Sequence, residues 1–222
     1  MKRRNKRTPM LTRKRSALKH LAVALIIMIL MNHFMLIGLL LPRQAYHKLE
    51  ERAGVGWTRV VSRDWEPELY LTHISYLSGS EDATVFGSVN LTMYGWFPQF
   101  VTALDCTKDA PLYSGYNLMY RDDEKVWYFF GRVDDPDIET VAVSLCKEEY
   151  DSMSHAYVGE EVRRLTQEEL LEKDGRRYFL LKDTFWQEEK RTQYCPVVIG
   201  YDGAGNEVTR MEIEDWRHIS YG

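Results

Sequence analysis

Between Leu21 and Leu41 the chain is apolar at nineteen of twenty-one positions, counting Gly38, and the adjacent Asn32 and His33 are the interruption. A helix of that length rises about 31 Å, close to the roughly 30 Å hydrocarbon core of a bilayer. The run therefore predicts a transmembrane helix over residues 21–41. Thirteen of its side chains are Leu, Ile, Val or Phe. Each favours insertion by about 0.3–0.6 kcal/mol, and together they outweigh two uncharged polar residues near the bilayer centre.

Beyond Pro42 the pattern becomes punctuated. Residues 42–57 read as a connector, with a short polar helical patch around Tyr46–Arg52 that stops at Gly54 and Gly56. From Thr58 onward, short runs of β-branched and aromatic residues alternate with Gly, Pro, Asp and Asn. They predict strands over Thr58–Arg63, Leu69–Tyr76, Thr84–Tyr94, Lys125–Val133, Thr140–Leu145, Tyr178–Leu181, Val197–Tyr201 and Glu207–Ile213. Asp134–Asp137 and Asp202–Asn206 read as turns between consecutive strands. One helix is expected at Thr166–Lys173, where Thr166 and Glu169 have capping-box spacing ahead of Leu170 and Leu171. The expected fold class is mainly β: an N-terminal transmembrane helix followed by an antiparallel β-sandwich with one short inserted helix. The chain divides into a basic cytoplasmic tail (1–20), the transmembrane helix (21–41), the connector (42–57) and an extracytoplasmic β-rich domain (58–222).

Charge orients this arrangement. The net charge is −4, but residues 1–41 hold nine basic side chains and no acid. The twenty basic residues left face thirty-three acids, so residues 42–222 carry −13. Positive charge on the N-terminal side places that side in the cytoplasm and the remainder outside. An acidic exterior cannot neutralise phosphates, so nucleic acid is not an expected partner. Arg43 occupies the position, two before Ala45, where a cleavage site would require a small residue, so the helix is expected to stay attached as an anchor. The bilayer is the expected partner of residues 21–41, anionic lipid that of the basic tail, and an envelope protein that of the exterior. Asn32 and His33 are candidates for a helix–helix contact, because polar groups in lipid bond across helices. The simpler alternative is that neutral His33 is tolerated without a partner.

The stretch from Val198 to Val208, with Asp202-Gly203-Ala204-Gly205-Asn206 at its turn, resembles the last hairpin of bacterial immunoglobulin-like surface domains. Phe129–Val133 followed by Asp137–Val141 resembles strand pairs in membrane-anchored proteins of Gram-positive bacteria. The resemblance implies an immunoglobulin-like sandwich in an envelope setting, and it implies no activity. Within the chain, Phe86-Gly87-Ser88-Val89 echoes Phe130-Gly131-Arg132-Val133. Two related β units or merely similar strand chemistry would produce such an echo.

Cys106, Cys146 and Cys195 lie outside the membrane on this topology, where disulfides form. One disulfide and one free thiol is the simplest arrangement, with Cys106–Cys146 the preferred pair and three buried thiols the alternative. An anchored, all-β exterior also invites comparison with sortases, which are cysteine transpeptidases of the cell wall. Their Thr-Leu-x-Thr-Cys motif would fall at Thr192-Gln193-Tyr194-Cys195, which lacks the Leu and the second Thr, and His155 is the nearest upstream histidine. His73, His155 and His218 stand apart, and no zinc spacing or phosphate-binding loop occurs, so no metal or cofactor is expected. Tyr113, Tyr116, Tyr120, Trp127, Tyr128 and Phe129 read as core, with a glycan- or peptide-binding surface as the alternative. The expected function is a membrane-anchored extracytoplasmic binding, sensing or assembly module without catalytic activity. The alternative is a sortase-like cell-wall cysteine transpeptidase or hydrolase.

Overall fold

In a computed structural model, the structure describes residues 9–34, 39–67, 72–121, 124–148, 157–185, 194–212 and 219–220. Two helices, α1 (Pro9–Phe34) and α2 (Pro42–Arg52), precede the strands. The strands are β1 (Arg59–Pro67), β2 (Thr72–Gly79), β3 (Ala83–Thr92), β4 (Gly95–Asp105), β5 (Leu112–Arg121), β6 (Glu124–Val133) and β7 (Thr140–Glu148). They continue with β8 (Tyr157–Leu165), β9 (Leu171–Lys173), β10 (Arg176–Phe185), β11 (Tyr194–Tyr201), β12 (Glu207–Glu212) and β13 (Ile219–Ser220). Every strand pairing among the described residues is antiparallel. A first sheet runs β1-β2-β3-β4-β13, a middle sheet β5-β6-β10-β9, and a third β12-β11-β7-β8.

The chain is thus mainly β, and among the described residues its strands form three antiparallel sheets. The order of the layers follows from the period-2 alternation of strands. In β6, Val126, Tyr128 and Phe130 join Leu77, Phe86 and Leu104 of the first sheet in one core. Trp127, Phe129 and Val133, on the opposite face, join Val141, Val143 and Val198 of the third sheet in another. Strand β10 divides likewise, Tyr178 toward the first sheet and Phe179 and Leu181 toward the third. A strand buried on both faces needs a continuous apolar run, and Val126–Phe130 supplies one. Phe129, Phe130 and Phe179 are wholly buried, each contributing about 1.5–3 kcal/mol by leaving water.

Two arginines of the middle sheet tie it to its neighbours. Arg132 Nη1 donates to the carbonyls of Ser80 (3.3 Å) and Glu81 (2.8 Å) in the β2–β3 turn, and Nη2 to Asp134 Oδ2 (2.6 Å). Its guanidinium also lies over the Tyr113 ring, 4.9 Å from the centroid. On the other face, Arg177 donates from Nη1 to the Ile138 carbonyl (2.6 Å) and from Nη2 to the Asp135 carbonyl, bracing the β6–β7 loop.

Several elements differ from those expected. Strand β4 carries Pro98, which has no ladder N–H, and its register against β3 shifts so that Ser88 faces Phe100 and Val89 faces Pro98. Strand β8 is rich in charge, so no apolar alternation marks it. At 166–173 the expected helix is one 3₁₀ turn, Gln167–Glu169, followed by β9. The cause is Asp174-Gly175, both at positive φ (53° and 73°), a dipeptide that makes a tight hairpin and pairs β9 with β10.

Helix α1 begins at Pro9, inside the basic tail, and includes the first two-thirds of the expected span. Residues 35–38 lie outside the described residues. Among the described residues no helix is long and apolar enough to cross a membrane. The stretch read as a connector is helical from Pro42 and packs onto the first sheet, with Ala45, Tyr46 and Leu49 against Ile74, Tyr76, Val85 and Val89.

Candidate functional site

The junction of α1, α2 and the first sheet gathers most of the unusual chemistry. Arg43, Tyr46, His47 and Glu50 fall on one face of α2 because three, four and seven residues are near-integral turns. Glu50 is fully buried, and a buried carboxylate must be bonded on every side. Arg43 Nη1 donates to it at 3.1 Å, and its Oε2 lies 3.0 Å from His47 Nδ1. The Thr58 hydroxyl is shared between Glu50 and Ser78 Oγ, 2.5 Å away, and Arg43 Nη2 donates to the Thr58 carbonyl at 2.6 Å. Ser78 also bonds Tyr46 Oη at 2.7 Å, and that hydroxyl donates to the Val85 carbonyl at 3.1 Å. Burial drives the Tyr46 phenol far above its ordinary pKa, against the opposing bond from Ser78. The network locks α2 to β2.

Beside it lies an apolar collar. Leu39 exchanges backbone bonds with Trp96 of β4 (2.7 and 2.8 Å), so the chain leaving α1 joins the first sheet directly. Around this bridge Leu40, Leu41, Trp65 and, on the β3–β4 turn, Met93 (88%) and Tyr94 (62%) are exposed. Trp65 meets Trp96 edge-on at 6.0 Å, and Trp57 stacks on His47 at 3.7 Å. Neither network nor collar was anticipated. The signal for the network was the Arg43–Glu50 spacing, and that for the collar was the apolar Met93-Tyr94 pair at a hairpin tip.

The predicted cysteine pair is not formed. Cys106 is a free, buried thiol at the end of β4, 3.5 Å from Thr84 Oγ1 and in the core between the first and middle sheets. Cys146 lies on β7 of the third sheet, so the middle sheet separates the two. Burial raises the Cys106 pKa and so disfavours its thiolate. Asn32 and His33 fall on the backbone of α1, but their side chains lie outside the described residues, as does His155. Trp127 and Phe129 are core with Tyr116 packed against them, Tyr128 is core on the opposite face of β6, and the Tyr120 side chain lies outside the described residues. Among the described residues no group of three or more His, Cys, Asp or Glu is placed to hold a metal.

The Asp202–Asn206 loop spends its oxygens on its own turn. Asp202 accepts from the Asn206 backbone (2.7 Å) and side chain (2.8 Å) and from the Ala204 backbone (3.0 Å). The Asn206 amide is the main cause holding the Asp202 carboxyl below its usual range. A depressed folded-state pKa stabilises above the unfolded value, near pH 4, and this contribution fades as pH falls through the folded value. In an NMR titration, Asp202 is therefore expected to titrate below an unstructured Asp. Asp202→Asn should abolish the accompanying acid shift of the Ala204 and Asn206 amide signals.

Comparison with protein-family models, curated proteins and solved structures finds no match. The fold defines a class: among the described residues, a mainly β chain of three antiparallel sheets preceded by two helices.

Proposed function

We propose that this chain is a membrane-anchored extracytoplasmic module that binds, senses or assembles with an envelope partner and performs no catalysis. The observation that carries the reading is the surface of α1. Leu21, Val23, Ala24, Leu25, Ile26, Ile27, Ile29 and Leu30 are all exposed, and at about 100° per residue they surround the helix instead of forming a stripe. A helix apolar on every side belongs inside a large core or in lipid, and among the described residues no core covers these side chains.

The sequence continues this apolar surface to Leu41, and nine basic residues on its N-terminal side orient it with the tail in the cytoplasm. The collar adds support, since Trp and Tyr favour the bilayer–water boundary, where the exit of such an anchor would lie. On this reading the basic tail meets anionic lipid, and Asn32 and His33 contact a second helix within the bilayer. The middle and third sheets, facing each other across one core, are the part that we liken to immunoglobulin-like surface domains.

The test is extraction and topology in whole cells. Wild-type chain is expected to stay in carbonate-washed membranes, and protease added outside should remove the β region. Arginine at both Ile29 and Leu30 costs about 5–7 kcal/mol near the bilayer centre, comparable to the whole apolar gain, and should move the chain to the supernatant. A wild-type chain that washes off, or that resists external protease, overturns the reading.

A further inference from the structure

We propose that Cys146 and Cys195 form a disulfide linking β7 to β11. The antiparallel register sets Cys195 directly opposite Cys146, between the pairs Tyr194–Lys147 and Pro196–Leu145. Directly opposed residues of antiparallel neighbours have Cα atoms about 4.5–5.5 Å apart, inside the roughly 4.4–6.8 Å range that a disulfide spans. Opposed residues also share one face of the sheet, because side chains alternate in step on the two strands.

Cys106 is excluded by its position. It sits on the far side of the middle sheet, in the core shared with the first, and packed sheets stand about 10 Å apart. Three cysteines thus resolve into one bonded pair and one buried thiol.

Formation needs a donor disulfide of the thiol–disulfide exchange class, small-molecule or protein. One Cys thiolate attacks the donor, forming a mixed disulfide and releasing the donor's first thiol. The second Cys thiolate then attacks the sulfur of its own chain, expelling the donor's second thiol. Two electrons and two protons pass from the cysteines to the donor. The closed loop holds about fifty residues, and such a crosslink shifts the folding equilibrium by roughly a thousandfold through the entropy of the unfolded chain.

The availability of an oxidant in the cell rests on the exported topology, whereas the choice of partners rests on register alone. Two measurements keep these separate. In the first, free thiols of whole cells are alkylated before lysis and the full chain is digested without reductant. A linked peptide pair containing Cys146 and Cys195 is expected, lost on reduction, with Cys106 alkylated only after denaturation. In the second, reduced full-length chain in detergent is oxidised with glutathione disulfide, and the same pair should form. Cys146→Ser should then leave Cys195 as a free thiol or a glutathione mixed disulfide, alkylatable after reduction, with no link to Cys106. A chain that external protease cleaves but whose Cys146 and Cys195 are both alkylated overturns the disulfide and spares the topology. Linkage of Cys106 to either residue in detergent overturns the register argument itself.

Discussion

Glu50→Ala is expected to destabilise the fold by about 3–5 kcal/mol, the range for removing one partner of a buried ion pair. The carboxylate is fully buried and holds Arg43, His47 and Thr58 together. Alanine would leave a void and strip the buried Thr58 hydroxyl of one partner. Glu50→Gln keeps the shape and some of the bonds, so its loss should be smaller, about 1–3 kcal/mol. Urea unfolding of the detergent-solubilised full chain, followed by tryptophan fluorescence, measures both. A loss under about 1 kcal/mol for the alanine variant would show that α2 is held by its apolar face alone.

Gly131→Ala should be nearly as damaging for a different reason. A Cβ at Gly131 would strike the Tyr113 backbone carbonyl on β5 and the Phe179 ring on β10. The carbonyl belongs to the paired neighbour of β6, so relief requires the β5–β6 ladder itself to move. Overpacking in cores typically costs about 1–3 kcal/mol, and a backbone obstacle puts this site at the upper end or beyond it. The same unfolding assay reads the effect. A change below about 0.5 kcal/mol, the range of ordinary surface substitutions, would contradict the packing described.

These two sites mark the limits of what the residues alone disclosed. The echo of Phe86-Gly87 in Phe130-Gly131 was visible, but not its meaning: the two phenylalanines meet across the core between the first and middle sheets, ring centroids 5.2 Å apart. The signal of β-branched and aromatic runs located β3, β6 and β11, whose bounds follow those runs to within about three residues. It failed for β4, where Pro98 interrupts the pattern, and for β8, where charge replaces it. The capping-box spacing of Thr166 and Glu169 is real, since Thr166 N–H donates to Glu169 at 2.9 Å. It opens only one turn, because Asp174-Gly175 folds the next residues into a hairpin. Glu50 falls within the stretch read only as a short polar helical patch, and its burial depends on Thr58 and Ser78, which only tertiary pairing brings to it.

The middle sheet has no face of its own in water, and this governs how the structure comes apart. Either outer sheet, on detaching, would expose an apolar face of β6 and β10 together with its own. It would also abandon the Arg132 or Arg177 clamp on that side. Neither can loosen as an independent layer without a penalty close to that of wholesale melting, so heat should find a single cooperative block where the layer count alone suggests three separable ones.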